Sequence, residues 1–216
     1  MNLFVYGAGG TGREILDIYS SIKQEKFEKC NIYFVDDYMV GTLIDKIHVL
    51  DFQASLNMGG SDNFIIAVGE PLLRDKLFKK IINNGFKGCN LIHKNSVISS
   101  NAILGDGVAV YANSVLSNQV SISNNVMIQF NTVIGHDVKI KENTVVSSSV
   151  VVGGGVEIGE NVFIGMGVII KEKIKIGSNS IIGMGAVVYQ DVPEGMIAIG
   201  NPARVVRSNV DQKVFK

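Results

Sequence analysis

Of the three histidines in this chain, one stands beside a carboxylate, in Gly135-His136-Asp137. Histidine takes and returns a proton near neutrality, and an adjoining carboxylate holds the imidazole in one tautomer and raises its basicity. Adjacent residues of a regular strand point to opposite faces, so a His136–Asp137 pair needs a corner in the backbone. Eighteen residues further on lies Gly153-Gly154-Gly155. If the chain stacks with that period, Gly154 meets His136, and its backbone N–H approaches a developing oxyanion with no side chain in the way. The candidate machinery is therefore His136 as general base, Asp137 as its support and Gly154 as oxyanion donor.

A second chemical signal is Gly7-Ala8-Gly9-Gly10-Thr11-Gly12, which follows the apolar run at residues 2–6. Gly7, Gly9 and Gly12 fit the spacing of a phosphate-binding turn between a strand and a helix, where backbone N–H groups face the ligand. Only about 90 residues precede the repeats, too few for the two mononucleotide halves that a dinucleotide needs. One nucleotide or a nucleotide-sugar fits; a redox dinucleotide does not. Asp36 and Asp37 follow the run 31–35, at the strand end where open α/β sheets take ligands, and can accept hydrogen bonds from ribose or a base.

The elements that must carry these residues come from periodicity. From Ile92 to Val188 an aliphatic residue recurs every six positions, seventeen times without a slip. A second register four residues later takes small or β-branched residues such as Val108, Thr132 and Ala186, and Gly often follows the aliphatic. Period six is not helical; it marks short parallel strands joined by tight corners and wound into a β-helix. Stacked coils of this kind associate side by side, so a homotrimer with sites in the clefts between subunits is expected. No inserted loop breaks the hexads. Before them, strands at 2–6, 31–35, 64–68 and 87–91 alternate with helices from Arg13 to about Lys23 and from Pro71 to about Asn83, which implies a small parallel sheet. The fold class is an α/β domain (1–90) with half of a Rossmann-like sheet, then a left-handed parallel β-helix (91–206), then a loose polar extension (207–216).

Twenty basic and twenty acidic side chains cancel, so no bulk field draws the chain to nucleic acid or anionic lipid. Two cysteines, Cys30 and Cys89, lack metal or redox spacing. No targeting or membrane-spanning segment is read, and a cytoplasmic location follows as the expectation. His93 reads as a cap on the first coil and His48 as a surface residue. Gly200-Asn201-Pro202-Ala203-Arg204 leaves the coil, and Arg204 offers a fixed positive charge for a phosphate.

With the glycine loop, Asp36-Asp37, the hexads, Gly-His-Asp and Gly-Asn-Pro-Ala placed in order, the chain to about Val206 resembles the hexapeptide-repeat nucleotide-sugar acetyltransferases. The resemblance implies an N-terminal domain for the nucleotide-sugar, a coil that binds acetyl-CoA without metal, and trimers. It assigns His136 and Asp137 as base and supporting acid, and Gly154 to the tetrahedral intermediate. It places Gly9, Gly10, Thr11, Asp36, Asp37 and Gly69 in the nucleotide-sugar pocket. Met166-Gly167 and Met184-Gly185 fall where backbone meets the pantetheine arm, with Pro202 and Arg204 nearby. The implied activity is acetylation of the 4-amino group of a UDP-, dTDP- or GDP-linked amino-deoxysugar, with O-acetylation or bare nucleotide-sugar binding as alternatives. A zinc hydratase on the same coil would need three histidines, and only His93 and His136 lie in or beside it. Two positions depart from the family pattern. Val145 stands where a second histidine often contacts the cofactor, leaving Ser147-Ser148-Ser149 as possible substitutes, and Thr11 stands where the loop often carries histidine.

Overall fold

The computed structural model describes residues 1–26, 30–58 and 63–215. Strand β1 (Asn2–Tyr6) is central to a six-stranded sheet and is flanked by two parallel neighbours, β2 (Asn31–Val35) and, later in the chain, β5 (Asn63–Ile66). Helix α1 (Gly10–Lys26) follows the glycine loop, starting three residues before its expected start at Arg13. The stretch after Asp36-Asp37 forms a hairpin, β3 (Leu43–Ile44) with β4 (Ile47–Leu50), then α2 (Phe52–Asn57), capped by Asp51, whose side chain accepts from the Ala54 N–H. The sequence pattern predicts no regular element there. Next come β5 (Asn63–Ile66), two residues shorter than expected at its end, α3 (Pro71–Asn83) with Pro71 in its first turn, and β6 (Lys87–Gly88).

Strand alternation decides what each face of this sheet meets. Leu3 and Val5 point into a cluster with Ile15, Ile18 and Tyr19 of α1, and with Ala109, Met127 and Val145 of the coil. Phe4 and Tyr6 point the other way, into an aromatic cluster with Phe52, Phe64 and Phe86. The first cluster fastens the α/β domain to the coil.

The coil is a left-handed β-helix whose two-residue strands build three parallel sheets. The first face starts at Leu91–Ile92 and is covered by α1; the second starts at Val97–Ile98; the third starts at Ile103–Leu104. Residues eighteen apart pair in register, as in Val133 with Val151 and Lys139 with Glu157. The second residue of each strand points inward, and the hexad aliphatics from Val110 to Ile170 are at most 1% exposed. Each such side chain contributes about 1.5–3 kcal/mol of burial. Corners close in the left-handed backbone region, at Asn125, Asn143, Asn161 and Asn179 along one edge. Their amides form a ladder, with Asn125 donating to Asn143, Asn143 to Asn161 and Asn161 to Asn179, at 2.9, 3.1 and 3.3 Å.

Two further contacts tie the halves together. Arg74 of α3 is fully buried, and its guanidinium donates to the carbonyls of Ile66, Val68 and Asn125 and to the Asn125 side chain. The expectation of a loose tail from Arg207 is corrected. Strand Arg204–Ser208 pairs antiparallel with Met196–Ile199, and Asn209 donates to the Asn179 carbonyl. The Val214 and Phe215 N–H groups donate to the Glu70 carboxylate, and the Phe215 ring packs edge-on to Phe163. A tail that reads as polar is held because its backbone donors find a carboxylate at a helix start.

Candidate active site at a coil corner

His136 occupies the corner between the second and third faces. Its Nδ1 lies 2.7 Å from the Asp137 carboxylate, although the two are neighbours in sequence. The contact exists because Asp137 adopts φ 59°, the left-handed corner that turns both side chains to one side. With the proton on Nδ1 shared with Asp137, Nε2 presents its lone pair outward. Both side chains are well exposed, so an incoming amine can reach the imidazole.

Gly154 lies directly against the imidazole. A Cβ there would come within 2.6 Å of Nε2, so any side chain would displace the ring. The three glycines have separate causes: a Cβ on Gly153 would strike the Glu172 backbone at 2.6 Å, and Gly155 adopts φ +68°. The Gly155 N–H donates to the His136 carbonyl, and the Gly154 N–H has no protein acceptor among the described residues. A donor without an acceptor, beside a base, is the arrangement an oxyanion requires.

Met166-Gly167 and Met184-Gly185 lie at the other edge of the second face, in the corner between the first and second faces. Both Met side chains are exposed, and space is open within 4 Å of where a Cβ would stand on Gly167 or Gly185. Apolar, uncluttered and backbone-lined, this column fits a pantetheine arm. One chain does not bring it to His136, because the width of the second face separates them. Between the two corners runs an apolar strip, with Val97, Val133, Val151 and Ile169 all exposed. The third face is polar instead, with Glu157 between Lys139 and Lys175 at 3.9 and 3.8 Å. Val145 is 1% exposed beneath the α/β domain, so a histidine there would have to displace that packing. Ser148 stands in the same corner column as Met166, accepting from the Gly167 N–H. Pro202 and Arg204 are exposed at the coil's end, the Arg204 guanidinium donating to the Ala203 carbonyl.

The glycine loop divides by role. A Cβ on Gly7 would strike the Ala67 carbonyl oxygen at 2.7 Å, and one on Gly12 would collide with the Gly7 carbonyl. Gly9 and Gly10 have open space around them, and Gly10 and Thr11 begin α1, leaving helix N–H groups for a phosphate. Asp36 borders this loop, accepting from the Ala8 N–H at 3.1 Å and the Tyr38 N–H at 3.0 Å. Asp37 accepts from the Phe52 N–H and the Tyr6 hydroxyl, each at 2.9 Å, with the Lys80 ammonium 3.5 Å away. Burial pushes its carboxyl up, but these three partners outweigh that and hold it below the usual carboxylate range. Burial, reinforced by Asp37, pushes the Tyr6 phenol well up. Asp36 and Asp37 thus line one cleft of about 230 Å³ with Tyr6, Gly7 and Lys80. Gly69 follows Val68 at the edge of that cleft without lining it, and a Cβ on it would meet the Phe215 ring at 3.5 Å.

Tyr6, Phe52 and Lys80 were missed in the sequence. Lys80 had one signal: Leu73, Leu77 and Lys80 share a helical face at i, i+4 and i+7, so a cation ends an otherwise apolar stripe. His93 is part-buried and its Nδ1 accepts from the Asn95 N–H, the expected capping role; His48 is exposed on β4.

Residues 2–81 match the family described as the PglD N-terminal domain, and residues 119–154 and 155–190 match the bacterial transferase hexapeptide family. A GDP-perosamine N-acetyltransferase of Escherichia coli O157:H7 is 30% identical over 113 residues, which is 51% of this chain and 51% of that protein. The chain therefore aligns with about half the length of that curated relative. Among solved structures, a mutant perosamine N-acetyltransferase from Caulobacter crescentus, in complex with CoA and GDP-perosamine, superposes with TM-score 0.89 at 27% identity, covering 96% of this chain and 98% of the other. The acetyltransferase domain of PglB from Neisseria gonorrhoeae, in complex with acetyl coenzyme A, gives 0.88 at 28% identity, with 95% and 98% covered. The chain thus carries a PglD-type N-terminal domain followed by bacterial transferase hexapeptide repeats.

Proposed function

We propose that this chain is a hexapeptide-repeat nucleotide-sugar acetyltransferase and transfers acetyl from acetyl-CoA to the 4-amino group of a nucleotide-linked amino-deoxysugar, for surface glycan or glycoprotein sugar synthesis. The observation that carries the reading is the corner triad: Nδ1 of His136 on Asp137, with Nε2 lying over the Gly154 backbone. The amine nitrogen attacks the thioester carbonyl carbon while His136 Nε2 takes its proton. Asp137 steadies the imidazolium, and the Gly154 N–H faces the carbonyl oxygen as charge builds on it. When the C–S bond breaks, the imidazolium returns the proton to the departing thiolate, giving free CoA thiol and the amide.

The cofactor column and the base lie on opposite edges of the apolar second face, and this supports a homotrimer. Packing that face between protomers would set the Met166–Met184 corner of one against the His136 corner of the next. Val151→Asp should abolish both trimer and turnover; an active monomer would refute this assembly. Gly9, Gly10 and Thr11 hold the diphosphate, Asp36 and Asp37 the nucleoside, with Gly69 at the outer rim. Arg204 and Pro202 lie at the nucleotide end of CoA.

The test is thiol release from acetyl-CoA with UDP-, dTDP- and GDP-4-aminosugars, GDP-perosamine included because the similar Caulobacter crescentus structure holds it. A sialic acid in the same screen covers the O-acetyl alternative. No turnover on any aminosugar, with sialic acid acetylated, would overturn the N-acetyl reading.

A further inference from the structure

Tyr38 is the most exposed large side chain among the described residues with hydrophobic character, at 99%. Its backbone is nonetheless fixed. The Tyr38 N–H donates to Asp36 Oδ1, the Met39 N–H to the Asp36 carbonyl, and the Gly41 N–H to the Val49 carbonyl, so the loop carrying the ring is tied to β2 and β4. A rigidly mounted aromatic in full contact with water has an unmet apolar surface. It is not on an arbitrary part of the molecule: it lines the cleft that holds Asp36, Asp37 and Lys80.

The rest of that cleft is two-sided. Val68, Leu73 and Leu77 supply an apolar wall, with Leu73 itself 42% exposed, and the Asp37 carboxylate and Lys80 ammonium supply an acceptor and a donor. At about 230 Å³ the cleft is smaller than the roughly 300–1,000 Å³ that encloses a whole drug-sized ligand, so it takes one part of a nucleotide-sugar. The part that wants two apolar flanks and a polar edge is a planar nucleobase; a diphosphate or a sugar wants neither flank. Phosphate-binding groups lie at the adjoining glycine loop, one bonded step away through Ala8 and Asp36.

We infer that Tyr38 is the stacking platform for the nucleobase, which sits between its ring and the Val68–Leu73–Leu77 wall with its edge toward Asp37 and Lys80. This rests on the nucleotide-sugar reading above. Stacking on an aromatic ring is tolerant of base identity, so Tyr38 supplies affinity while the charged pair reads the edge.

The chain contains no tryptophan. Tyr38→Trp therefore places a single indole at the proposed platform, and UDP, dTDP and GDP are titrated into it by fluorescence. Ribose 5-phosphate, which has no base, is the control. Quenching by the nucleoside diphosphates, with none from ribose 5-phosphate, is expected. In parallel, calorimetry on Tyr38→Ala should show Kd for the preferred nucleoside diphosphate raised about 5- to 150-fold, the range of base–aromatic stacking. Tyr38→Phe should bind as wild type does, and CoA affinity should hold in every variant. If wild type binds a nucleoside diphosphate and Tyr38→Ala binds it equally well, the platform is refuted and the nucleotide-sugar reading stands. If wild type binds none of the three, both fall together.

Discussion

The coil corner and the N-terminal cleft each bring polar groups together, but by different means. In the coil, two groups meet because they are eighteen residues apart, and Gly154 comes within reach of His136 as any residue would meet its stacked partner. In the cleft, Tyr6, Asp37, Val68 and Lys80 come from four separate elements or loops with no common spacing. A repeat makes geometry a matter of register; an α/β sheet makes it a matter of how helices and crossovers pack. The two should therefore fail differently when perturbed.

At the corner the effects are local and catalytic. His136→Ala should lower kcat by about 10²–10⁴-fold, the usual contribution of a general base, with acetyl-CoA Kd unchanged by calorimetry. Turnover near wild type would remove His136 from the chemistry. Arg74→Met tests the other region through stability. It strips the Ile66, Val68 and Asn125 acceptors of their donor, and a buried polar group left unsatisfied costs about 1–3 kcal/mol. The denaturation midpoint should fall with the coil's own transition retained; an unchanged midpoint would show that the domains do not depend on this clamp. Gly154→Ala should cost about 10²-fold in kcat, because the new Cβ displaces the imidazole and small misplacements of a catalytic group are that expensive. Equal loss of acetyl-CoA binding would point to a damaged coil instead.

The smallest effect belongs to the cleft. Lys80 helps hold the Asp37 carboxyl below its ordinary value, so Lys80→Met should raise that pKa. A depressed carboxylate keeps its charge, and the affinity depending on it, until pH falls through the folded value. Nucleoside diphosphate binding in Lys80→Met should therefore be lost at a higher pH than in wild type, in a titration between about pH 6 and 3. Since Lys80 and Asp37 are both well exposed, the change in affinity at neutral pH should stay within about 1 kcal/mol.

Legibility followed the same divide. His136, Asp137 and Gly154 could be placed from sequence because each hexad fixes a side chain's direction, and the structure brings the three together. Gly7 and Gly12 were legible as a tight turn, although their reason is the closeness of Ala67 and the Gly7 carbonyl rather than a phosphate. The hairpin and α2 after Asp37 were not legible, since two- to six-residue elements leave too short a pattern. Nor was the tail's docking, because nothing local marks Glu70 as the acceptor for N–H groups more than 140 residues away.

The sequence by itself determined the coil, its inward aliphatics and the corner that joins His136, Asp137 and Gly154, because a period of six with β-branched residues leaves one way to bury that stripe. It also determined the strand–glycine–helix start of the first domain. Tertiary structure alone decided which side chains complete the cleft at Asp36 and Asp37, that Val145 lies under the α/β domain, and that the Met166–Met184 column and His136 sit on opposite edges of one face. The physical reason is range: register is set by neighbours along the chain and between successive coils, whereas a cleft is set by which distant surfaces bury each other.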